Sequence, residues 1–560
     1  MAGAAGLLLN LYRLQVSQAS MLEGKARQQQ MVSLRPFVPR RPIVDRNGNV
    51  LAVDQPVYIL YAHPKLFKLS KTKMAELLAP ILAKTPTELE ELFNQKKSGL
   101  RVGPALTEDV ADRIAKLNTD GLELIQQYSR LYPQQDLAAD VVGYVDVDHR
   151  GQAGLEYSQQ NLLERAVRTL RLSRAGNGSL MPDHVPDGFL HFDDLRLQLT
   201  LDSRLQRAAR FALKQKIEEY SAKRGTVIVL DAKDGAVLSL VTEPTYNPNQ
   251  YYKFDVSLFK NWALADLYEP GSTFKPLNVA IALETGAIQP NSKFNDTGQI
   301  QIGQWSIANF DFESKGAHGL LTVPQILEYS SNIGMVRIIQ QLKSDVYYSW
   351  LEKLGLGQKV GIDLPFDAPG QIKSQQQFTA SPVESATASF GQGFSLTPLQ
   401  LAQLHATLAN GGKLVTPHVV QGLFDTHGRL YWQPRLPASR PVFSATTTQT
   451  VLKMMESVVT EGTGKNAQIA GYRIAGKTGT AQKASPTGGY YNNAKITSFV
   501  SIFPVESPRY VVLAVVDEPK GADAFGSTVA APIVKSVSEA LIAIDRIPPT
   551  QSVETKTPLQ

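Results

Sequence analysis

The chain has 560 residues, 43% of them hydrophobic and 19% charged, which excludes a small stapled module and a wholly disordered protein. It has no cysteine, which excludes disulfides, a thiolate nucleophile and cysteine-ligated metal sites. The net charge is +6, and residues 1–46 alone carry +5, so the other residues are nearly neutral. A nearly neutral folded part argues against a nucleic-acid partner, because such a partner requires a basic face.

The chain begins with an apolar segment. Residues 1–9 carry no charge, and Asn10, Tyr12 and Arg13 come shortly after them. A bilayer-spanning helix needs about 20 apolar residues, so this segment has the length of half a membrane helix with interface residues at its end. We expect residues 1–22 to be part of a membrane anchor whose other half precedes residue 1. An amphipathic helix is the main alternative, and a cleaved signal is disfavoured because no basic leader precedes the apolar residues.

Residues 23–195 predict a non-catalytic α+β domain. Residues 41–62 read as two strands joined at Asn47–Gly48, a pair that suits the positive φ of a hairpin turn. Helix start signals follow at Ser70, at Thr87 with Glu90 three residues later, and at Thr107. We place the domain boundary near residue 195.

Residues 196–546 predict a second α+β domain. Leucines alternate with polar residues over 195–201, which indicates a strand, and Asp202 then caps a helix over 203–220. Further strands are predicted at 226–230, 236–242, 497–503 and 510–517, with a closing helix at 529–543. Because helices separate the early strands from the late ones, we expect an antiparallel sheet built from both ends of the domain. Residues 547–560 predict a disordered tail.

Three short motifs occur in order in the second domain. They are S-x-x-K at Ser272–Lys275, S-x-N at Ser330–Asn332, and K-T-G-T at 477–480. Each is weak alone, and a second S-x-x-K at Ser70–Lys73 reads as a helix cap. Ser272 differs because it follows Glu-Pro-Gly and opens an apolar helix, with a proline in the tolerated first turn.

The spacing of the first motif suits nucleophilic catalysis. A serine hydroxyl becomes a good nucleophile when a base within hydrogen-bond reach takes its proton. Residues three apart on a helix lie about 5 to 6 Å apart at Cβ, so Lys275 can reach the Ser272 oxygen. Burial and a nearby cation lower the pKa of a lysine, and Lys477 is a candidate for that cation. The helix N-terminus offers backbone N–H groups for an oxyanion.

A nucleotide site is the alternative interpretation of the third motif. Residues 471–478 fit G-x-x-x-x-G-K-[ST], and residues 511–518 could supply the acidic strand of a P-loop protein. That site needs a helix after Lys477 and Thr478, whereas Gly479 and Pro486 follow them. The P-loop hypothesis therefore remains a minor alternative.

The ordered set resembles the three active-site motifs of penicillin-binding proteins and serine β-lactamases. The separations of 58 and 145 residues fit that pattern. The similarity extends over other parts of the chain, notably 41–52, 130–143, 151–157, 389–402 and 458–482. It is greatest to class B penicillin-binding proteins, the peptidoglycan D,D-transpeptidases, and among these to the septal cell-division type. Trp262 stands where an arginine is expected, and residues 163–188 fit poorly.

The resemblance implies a fold and roles for the motif residues. The fold is α+β, a penicillin-binding-protein/serine β-lactamase-like transpeptidase domain over 196–546 preceded by an elongated α+β N-terminal domain. Ser272 attacks the carbonyl between two D-alanines of a stem peptide, and Lys275 takes its proton. Ser330 and Asn332 relay that proton to the departing D-alanine.

The third motif is implied to bind substrate. Lys477, Thr478 and Thr480 hold the terminal carboxylate of the substrate, with Gly479 between them in the binding segment. The backbone N–H groups of Ser272 and Thr480 stabilise the oxyanion. Two aromatic residues after this motif, Tyr490 and Tyr491, are candidates for the wall of the cleft.

The resemblance also implies partners and a location. The expected partners are stem peptides, lipid-linked glycan strands, β-lactam antibiotics, a septal glycan polymerase and other division proteins, and no metal or cofactor is needed. The expected location is the inner (plasma) membrane, with one membrane pass and the catalytic domain in the periplasm or outside the cell. An elongation-type transpeptidase, a D,D-carboxypeptidase, a β-lactamase and a penicillin-sensing receptor remain as rivals.

Overall fold

The computed structural model describes residues 2–22, 25, 31–34, 38–165, 170–174, 180–181, 192–484 and 489–550. The chain forms two compact units. The first comprises Met1–Arg41, Val53–Leu131 and Asn161–Leu195, and the second comprises Pro42–Ala52, Tyr132–Gln160 and Arg196–Gln560. Most of the predicted C-terminal tail, residues 551–560, lies outside the described residues, whereas Thr550 N donates to Gly471 O at 2.9 Å.

The strands of the described residues are, in chain order, β1 Met31–Leu34, β2 Ile43–Val44, β3 Val50–Ala62, β4 Leu100–Arg101, β5 Leu122–Leu131, β6 Leu170–Arg174, β7 Leu180–Met181, β8 Arg196–Leu199, β9 Arg224–Asp231, β10 Val237–Glu243, β11 Lys293–Asp296, β12 Gln299–Ile302, β13 Trp305–Ala308, β14 Gly319–Thr322, β15 Lys413–Leu414, β16 Val420–Phe424, β17 Leu430–Trp432, β18 Arg440–Pro441, β19 Ala475–Ala484, β20 Tyr490–Phe503 and β21 Tyr510–Asp517.

The α-helices are α1 Ala2–Tyr12, α2 Lys71–Leu82, α3 Pro86–Gln95, α4 Glu108–Ala115, α5 Ala139–Val142, α6 Gly154–Ser158, α7 Gln160–Leu163, α8 Ser203–Glu219, α9 Trp262–Ala265, α10 Lys275–Glu284, α11 Phe312–Lys315, α12 Val323–Glu328, α13 Asn332–Ile339, α14 Ser344–Lys353, α15 Gln375–Ala380, α16 Pro382–Ala388, α17 Pro398–Ala409, α18 Ala445–Thr460 and α19 Ala531–Asp545.

The first unit is built on an antiparallel pair. From Val53 onward β3 pairs with β5, and its last residues also pair with β4. The helices α2 to α4 supply most of the remaining core around Met74, Leu78 and Phe93, all fully buried. The predicted hairpin is confirmed, because β2 pairs with the first residues of β3 across the Asn47–Gly48 turn.

The helix starts of the first unit are confirmed at two of three positions. Ser70 caps α2 by accepting from Lys73 N at 3.2 Å, and α4 begins after Thr107. The prediction of Thr87 as a cap is wrong, because α3 begins two residues earlier. Thr85 accepts from Glu88 N and Glu88 accepts from Thr85 N, with Pro86 in the first turn, where its missing N–H costs nothing.

The second unit contains the predicted antiparallel sheet, whose order is β10-β9-β21-β20-β19. Its strands come from both ends of the unit, as the sequence predicts. Residues of β21 are buried at every position, so both faces of the sheet are covered. One face packs on α8 and α19, and α17 contacts β9, β20 and β21. The strand β19 lies at the edge of this sheet.

The closing helix is the one helix of the described residues that is long and apolar enough to cross a membrane. The segment Gly526–Asp545 meets that test, with 44% of its best window buried. Ile533, Val534 and Val537 of α19 lie in the core beside the sheet. Its apolar character is therefore accounted for by packing inside the second unit.

Arg210 on α8 is the centre of a buried ion cluster. Its guanidinium donates to Asp140 Oδ2 at 2.6 Å and to Glu243 Oε1 at 2.7 Å. Burial raises the pKa of Glu243, and the guanidinium opposes that effect. Removing one member of such a cluster leaves uncompensated buried charge.

Arg210→Met is therefore expected to lower the free energy of unfolding by about 3 to 5 kcal/mol. Urea unfolding measures this change. Arg207→Met is the control on the same helix, because Arg207 is exposed and, among the described residues, donates a hydrogen bond only to Gln134 Oε1 at 3.0 Å. We expect the control to lose about 0.5 kcal/mol or less, and equal losses in the two variants contradict the prediction.

Candidate active site

The predicted nucleophile lies on a tight turn that leads into α10. Ser272 belongs to the 3₁₀ turn Gly271–Phe274, and α10 begins at Lys275. Gly271 has a φ of +56°, and a Cβ there would lie 3.1 Å from the Cβ of Ala481 on β19. Glycine therefore allows the turn to approach the edge strand, and the turn exposes Ser272 to the cleft.

Lys275 is fully buried beneath the second motif. Its Nζ donates to Ser330 O at 2.6 Å, to Asn332 Oδ1 at 2.8 Å and to Ser330 Oγ at 3.3 Å. Burial, with the charge of Lys477 second, lowers the pKa of Lys275 well below its usual value. Within the described part of the chain, no group forms a hydrogen bond to the Ser272 hydroxyl. The Lys275 amine is hydrogen-bonded to residues of the second motif instead. Catalytic hydrogen bonds often tighten only when substrate binds.

The second motif is held by an uncommon backbone conformation. Ser330 follows α12 and has a φ of +58°, the left-handed region that a residue with a Cβ rarely adopts. Ser331 then caps α13, accepting from Gly334 N at 2.7 Å. Residues held in such conformations cluster at functional sites, because the surroundings must stabilise them. Here the turn directs the Ser330 hydroxyl between two lysines.

Lys477 is the second of these lysines and lies on the edge strand β19. It is fully buried, and its Nζ donates to Ser330 Oγ at 3.0 Å and to Thr478 O at 3.1 Å. Burial lowers its pKa to about 7. Because residues 475–484 form a strand and not a loop followed by a helix, the P-loop interpretation is wrong.

The rest of the third motif borders the cleft. Thr478 Oγ1 lies 2.9 Å from Thr463 Oγ1, and Thr480 Oγ1 accepts from Gly526 N at 3.1 Å. Gly479 lies between them, where a Cβ would come within 2.4 Å of Ser498 Oγ and 2.9 Å of a methyl of Thr273. Glycine at this position therefore keeps the strand close to the nucleophile turn.

These residues surround one cleft with a volume of about 890 Å³. Of the predicted residues, Ser272, Ser330, Asn332, Thr478 and Thr480 line it, whereas the two lysines lie beneath its floor. The structure thus brings together three segments that are far apart in the sequence.

Of the two predicted aromatic wall residues, Tyr490 lines the cleft. Its hydroxyl donates to Glu269 Oε2 at 2.8 Å, and burial raises the pKa of Glu269. Tyr491 is not part of the lining.

Several residues of the cleft and of its surroundings were not predicted from the sequence. Apolar side chains line the wall and rim at Trp305, Phe310, Val383, Phe390 and Phe525. Thr463 could have been found, because it lies within residues 458–482, a stretch that carries the family resemblance. Asn309 gave no such signal, yet it accepts from Asn332 N at 2.8 Å.

Two family profiles match this chain. One, described as the penicillin binding protein transpeptidase domain, matches residues 225–539. The other, described as the penicillin-binding protein dimerisation domain, matches residues 37–168. The first match alone covers more than half of the chain and includes all three motifs. The chain belongs to the penicillin-binding proteins.

Whole-length relatives specify the class. This penicillin-binding protein is 44% identical to a peptidoglycan D,D-transpeptidase FtsI homolog of Mesostigma viride, over 98% of this chain and 95% of that protein. It is 30% identical to peptidoglycan D,D-transpeptidase FtsI of Escherichia coli, over 97% and 90%. It is therefore a class B, FtsI-like enzyme, a serine-type D-Ala-D-Ala transpeptidase of peptidoglycan synthesis.

A solved structure confirms the fold class. Penicillin binding protein 3 from Mycobacterium tuberculosis, complexed with aztreonam, superposes with a TM-score of 0.69 at 26% identity, covering 93% of this chain and 99% of that one. The expected α+β transpeptidase fold, preceded by a separate N-terminal domain, is confirmed.

The departure at Trp262 is accommodated locally by packing. The Arg224 guanidinium carbon lies 4.5 Å from the centre of the Trp262 ring, and Trp262 Nε1 donates to Gly225 O at 3.3 Å. The Trp262 side chain therefore packs against the start of β9.

Proposed function

We propose that Ser272 is the nucleophile and that Lys275 is the base that activates it. The observation that carries this proposal is the placement of the fully buried Lys275 amine, one helical turn from Ser272 and held by Ser330 and Asn332. Burial and the charge of Lys477 lower the pKa of Lys275 well below its usual value, which favours the neutral amine that a base requires. Substrate or β-lactam enters the cleft before any covalent bond forms or breaks. The hydroxyl proton of Ser272 moves to Lys275 Nζ as the oxygen attacks the carbonyl carbon.

Ser330 and Asn332 carry the proton onward in this proposal. The Ser330 hydroxyl lies 3.3 Å from Lys275 Nζ and 3.0 Å from Lys477 Nζ, so it can accept from one amine and donate toward the leaving group. Asn332 Oδ1 orients the Lys275 amine at 2.8 Å. The amine nitrogen of the departing D-alanine receives the proton when the tetrahedral intermediate collapses.

The third motif binds the acidic end of the donor peptide. Thr478 and Thr480 present hydroxyls to the cleft, and Lys477 supplies positive charge just beneath them. Gly479 keeps this strand against the nucleophile turn, which brings the backbone N–H groups of Ser272 and Thr480 to the oxyanion. A second stem peptide then attacks the acyl-enzyme with its amine, which forms the cross-link and frees Ser272.

The same serine is expected to bind β-lactams covalently, because these drugs present a strained amide beside a carboxylate. Membership of the penicillin-binding family supports β-lactam recognition in general. The relative whose structure is complexed with aztreonam supports it further. Rapid turnover of the drug would instead indicate a β-lactamase.

We also propose that the protein is anchored to the inner membrane by its N-terminal segment and acts in septal wall synthesis outside the cytoplasm. Apolar side chains of α1 are strongly exposed, with Leu7, Leu8 and Leu9 at 66%, 68% and 71%, which suits contact with lipid. The FtsI relatives support the septal role. A glycan polymerase and other division proteins are the expected partners, as are lipid-linked glycan strands. The domain limits of 1–22, 23–195, 196–546 and 547–560 remain a proposal based on the sequence. They differ from the two compact units, because residues 42–52 and 132–160 belong to the second unit.

Reaction of the purified protein with nascent glycan strands that carry pentapeptides tests the activity. We expect cross-linked peptide dimers and one released D-alanine per cross-link. D-Alanine release without dimers would identify a D,D-carboxypeptidase and contradict the proposal. Depletion in cells tests the septal role, since filaments are expected and round cells would indicate an elongation enzyme.

A further inference from the structure

A buried carboxylate lies behind the second motif, away from the cleft. Asp296 ends β11 and is fully buried, and within the described residues no lysine or arginine pairs with it. Its Oδ1 accepts from Gly298 N at 2.7 Å, and both of its oxygens accept from Asn309 Nδ2, at 2.9 and 2.8 Å. An ionised carboxylate can only accept hydrogen bonds, so it fixes which end of the Asn309 amide faces it.

The other end of that amide meets the start of α13. Asn309 Oδ1 accepts from Asn332 N at 2.8 Å and from Ile333 N at 3.2 Å. These are N–H groups that a helix leaves without an internal partner in its first turn. Asn309 therefore caps α13 from a different segment, and Asp296 sets the orientation of the cap.

The same segment fixes the side chain of Asn332. Its Nδ2 donates to Ala308 O at 3.0 Å, which leaves Oδ1 directed at Lys275 Nζ at 2.8 Å. The backbone and the amide of Asn332 are thus both held by residues 308 and 309. Neither Asp296 nor Asn309 lines the cleft.

We propose that Asp296 and Asn309 are positioning residues for acylation, which hold Asn332 in the orientation that presents its oxygen to the Lys275 amine. This inference rests on the base role proposed above for Lys275. A purely structural role would alter stability alone, whereas a positioning role alters the rate and pH dependence of acylation in folded protein.

The charges that face Lys275 give the pH readout its sign. Lys477 on β19 lowers the pKa of Lys275, and Asp296 and Asp311 raise it. Asp311 is itself contacted by His318 at 3.2 Å and by Lys315 at 3.5 Å. Asp296→Asn removes one negative charge and leaves the Asp311 group unchanged. The pKa of Lys275 therefore falls further, and the acidic limb of the acylation profile moves to lower pH.

The experiment measures the second-order rate of acylation by a fluorescent penicillin against pH, in the full chain. Asp296→Asn and Asn309→Ala are each expected to slow acylation by about 100-fold, the loss that a small misplacement of a catalytic group produces. Asp296→Asn is also expected to shift the acidic limb downward. Asp296→Asn is nearly isosteric, so it keeps the test valid if Asn309→Ala does not fold.

Asp425→Asn is the matched control. Asp425 is also a buried carboxylate whose Oδ1 accepts from two backbone N–H groups, those of His427 and Arg429, and unlike Asp296 it also pairs with the Arg429 side chain at 2.6 Å. It lies on a β-hairpin outside the cleft lining. We expect this variant to melt at a lower temperature while its acylation rate and pH profile stay at wild-type values.

A double-mutant cycle tests the route through Asn332. Because Asn309 acts through Asn332, the Asn309→Ala substitution should reduce the acylation rate much less in the Asn332→Ala background than in the wild type. The inference is overturned if the double variant loses acylation rate by the product of the two single losses. It is also overturned if the acidic limb of Asp296→Asn does not shift. A wild-type chain that is never acylated would contradict the proposed function itself, which separates the two failures.

Discussion

Ser272→Ala is expected to abolish covalent labelling by a fluorescent penicillin, the largest effect of any single substitution in this chain. The serine oxygen supplies the bond that holds the drug, so its removal leaves the proposed acyl-enzyme without its link to the protein. Gel fluorescence and intact mass measure the loss. The fold should be retained, because Ser272 is half-buried and the described residues form no hydrogen bond to its hydroxyl.

Ser70→Ala is the matched control, since Ser70 belongs to the other S-x-x-K sequence. In the described part of the structure its Oγ caps α2 and has no other partner, so we expect full labelling and a loss of about 1 kcal/mol in stability. Undiminished labelling of Ser272→Ala would refute the assignment of the nucleophile. Loss of labelling in both variants would indicate that labelling reports stability instead.

Lys275→Met is expected to slow acylation by about 10² to 10⁴-fold, the usual contribution of a positioned base. Methionine keeps the apolar length of the side chain and removes the amine. In the wild type the rate should fall as the pH drops through the lowered pKa of Lys275, because the protonated amine cannot take the Ser272 proton. Lys73→Met, in the other S-x-x-K sequence, is the control and should leave the profile unchanged.

Lys477→Met is expected to raise the pKa of Lys275, the opposite of the shift expected for Asp296→Asn. The charge of Lys477 is one cause of the lowered pKa of Lys275, so its removal raises that pKa. The acidic limb of the acylation profile should then move to higher pH. An unmoved limb in this variant, with Lys275→Met inactive, would show that Lys477 acts on substrate alone. Stopped-flow acylation over a range of buffers measures both profiles.

Much of the site could be predicted because its chemistry is local. The three-residue spacing of Ser272 and Lys275 places both on one turn, and Gly479 and Pro486 after the third motif argued against the helix that a nucleotide loop requires. The sheet was predictable as well, since apolar runs at 226–230 and 510–517 need partners on both sides. Both features could be predicted because they depend on the spacing and pattern of residues that are near one another in the sequence.

The remainder depends on contacts that sequence position does not encode. Asp296 and Asn309 lie 13 residues apart and meet because the β12–β13 hairpin between them folds back toward the end of β11. The φ of +58° at Ser330 follows from tertiary packing and not from the preference of serine. The start of α3 at Pro86 shows a similar limit, because two threonines near it offer competing caps and the proline decides between them.

The pairing of β9 with β21 also bears on how the enzyme matures during synthesis. Tyr510 pairs with Asp231, 279 residues earlier, and β20 and β19 reach the sheet only through β21. A nascent chain still short of residue 517 lacks the central strand, so Lys477 has no sheet to hold it under Ser330. Reactivity toward penicillin therefore arises only after almost the whole polypeptide has left the ribosome, and late truncations should yield inert protein.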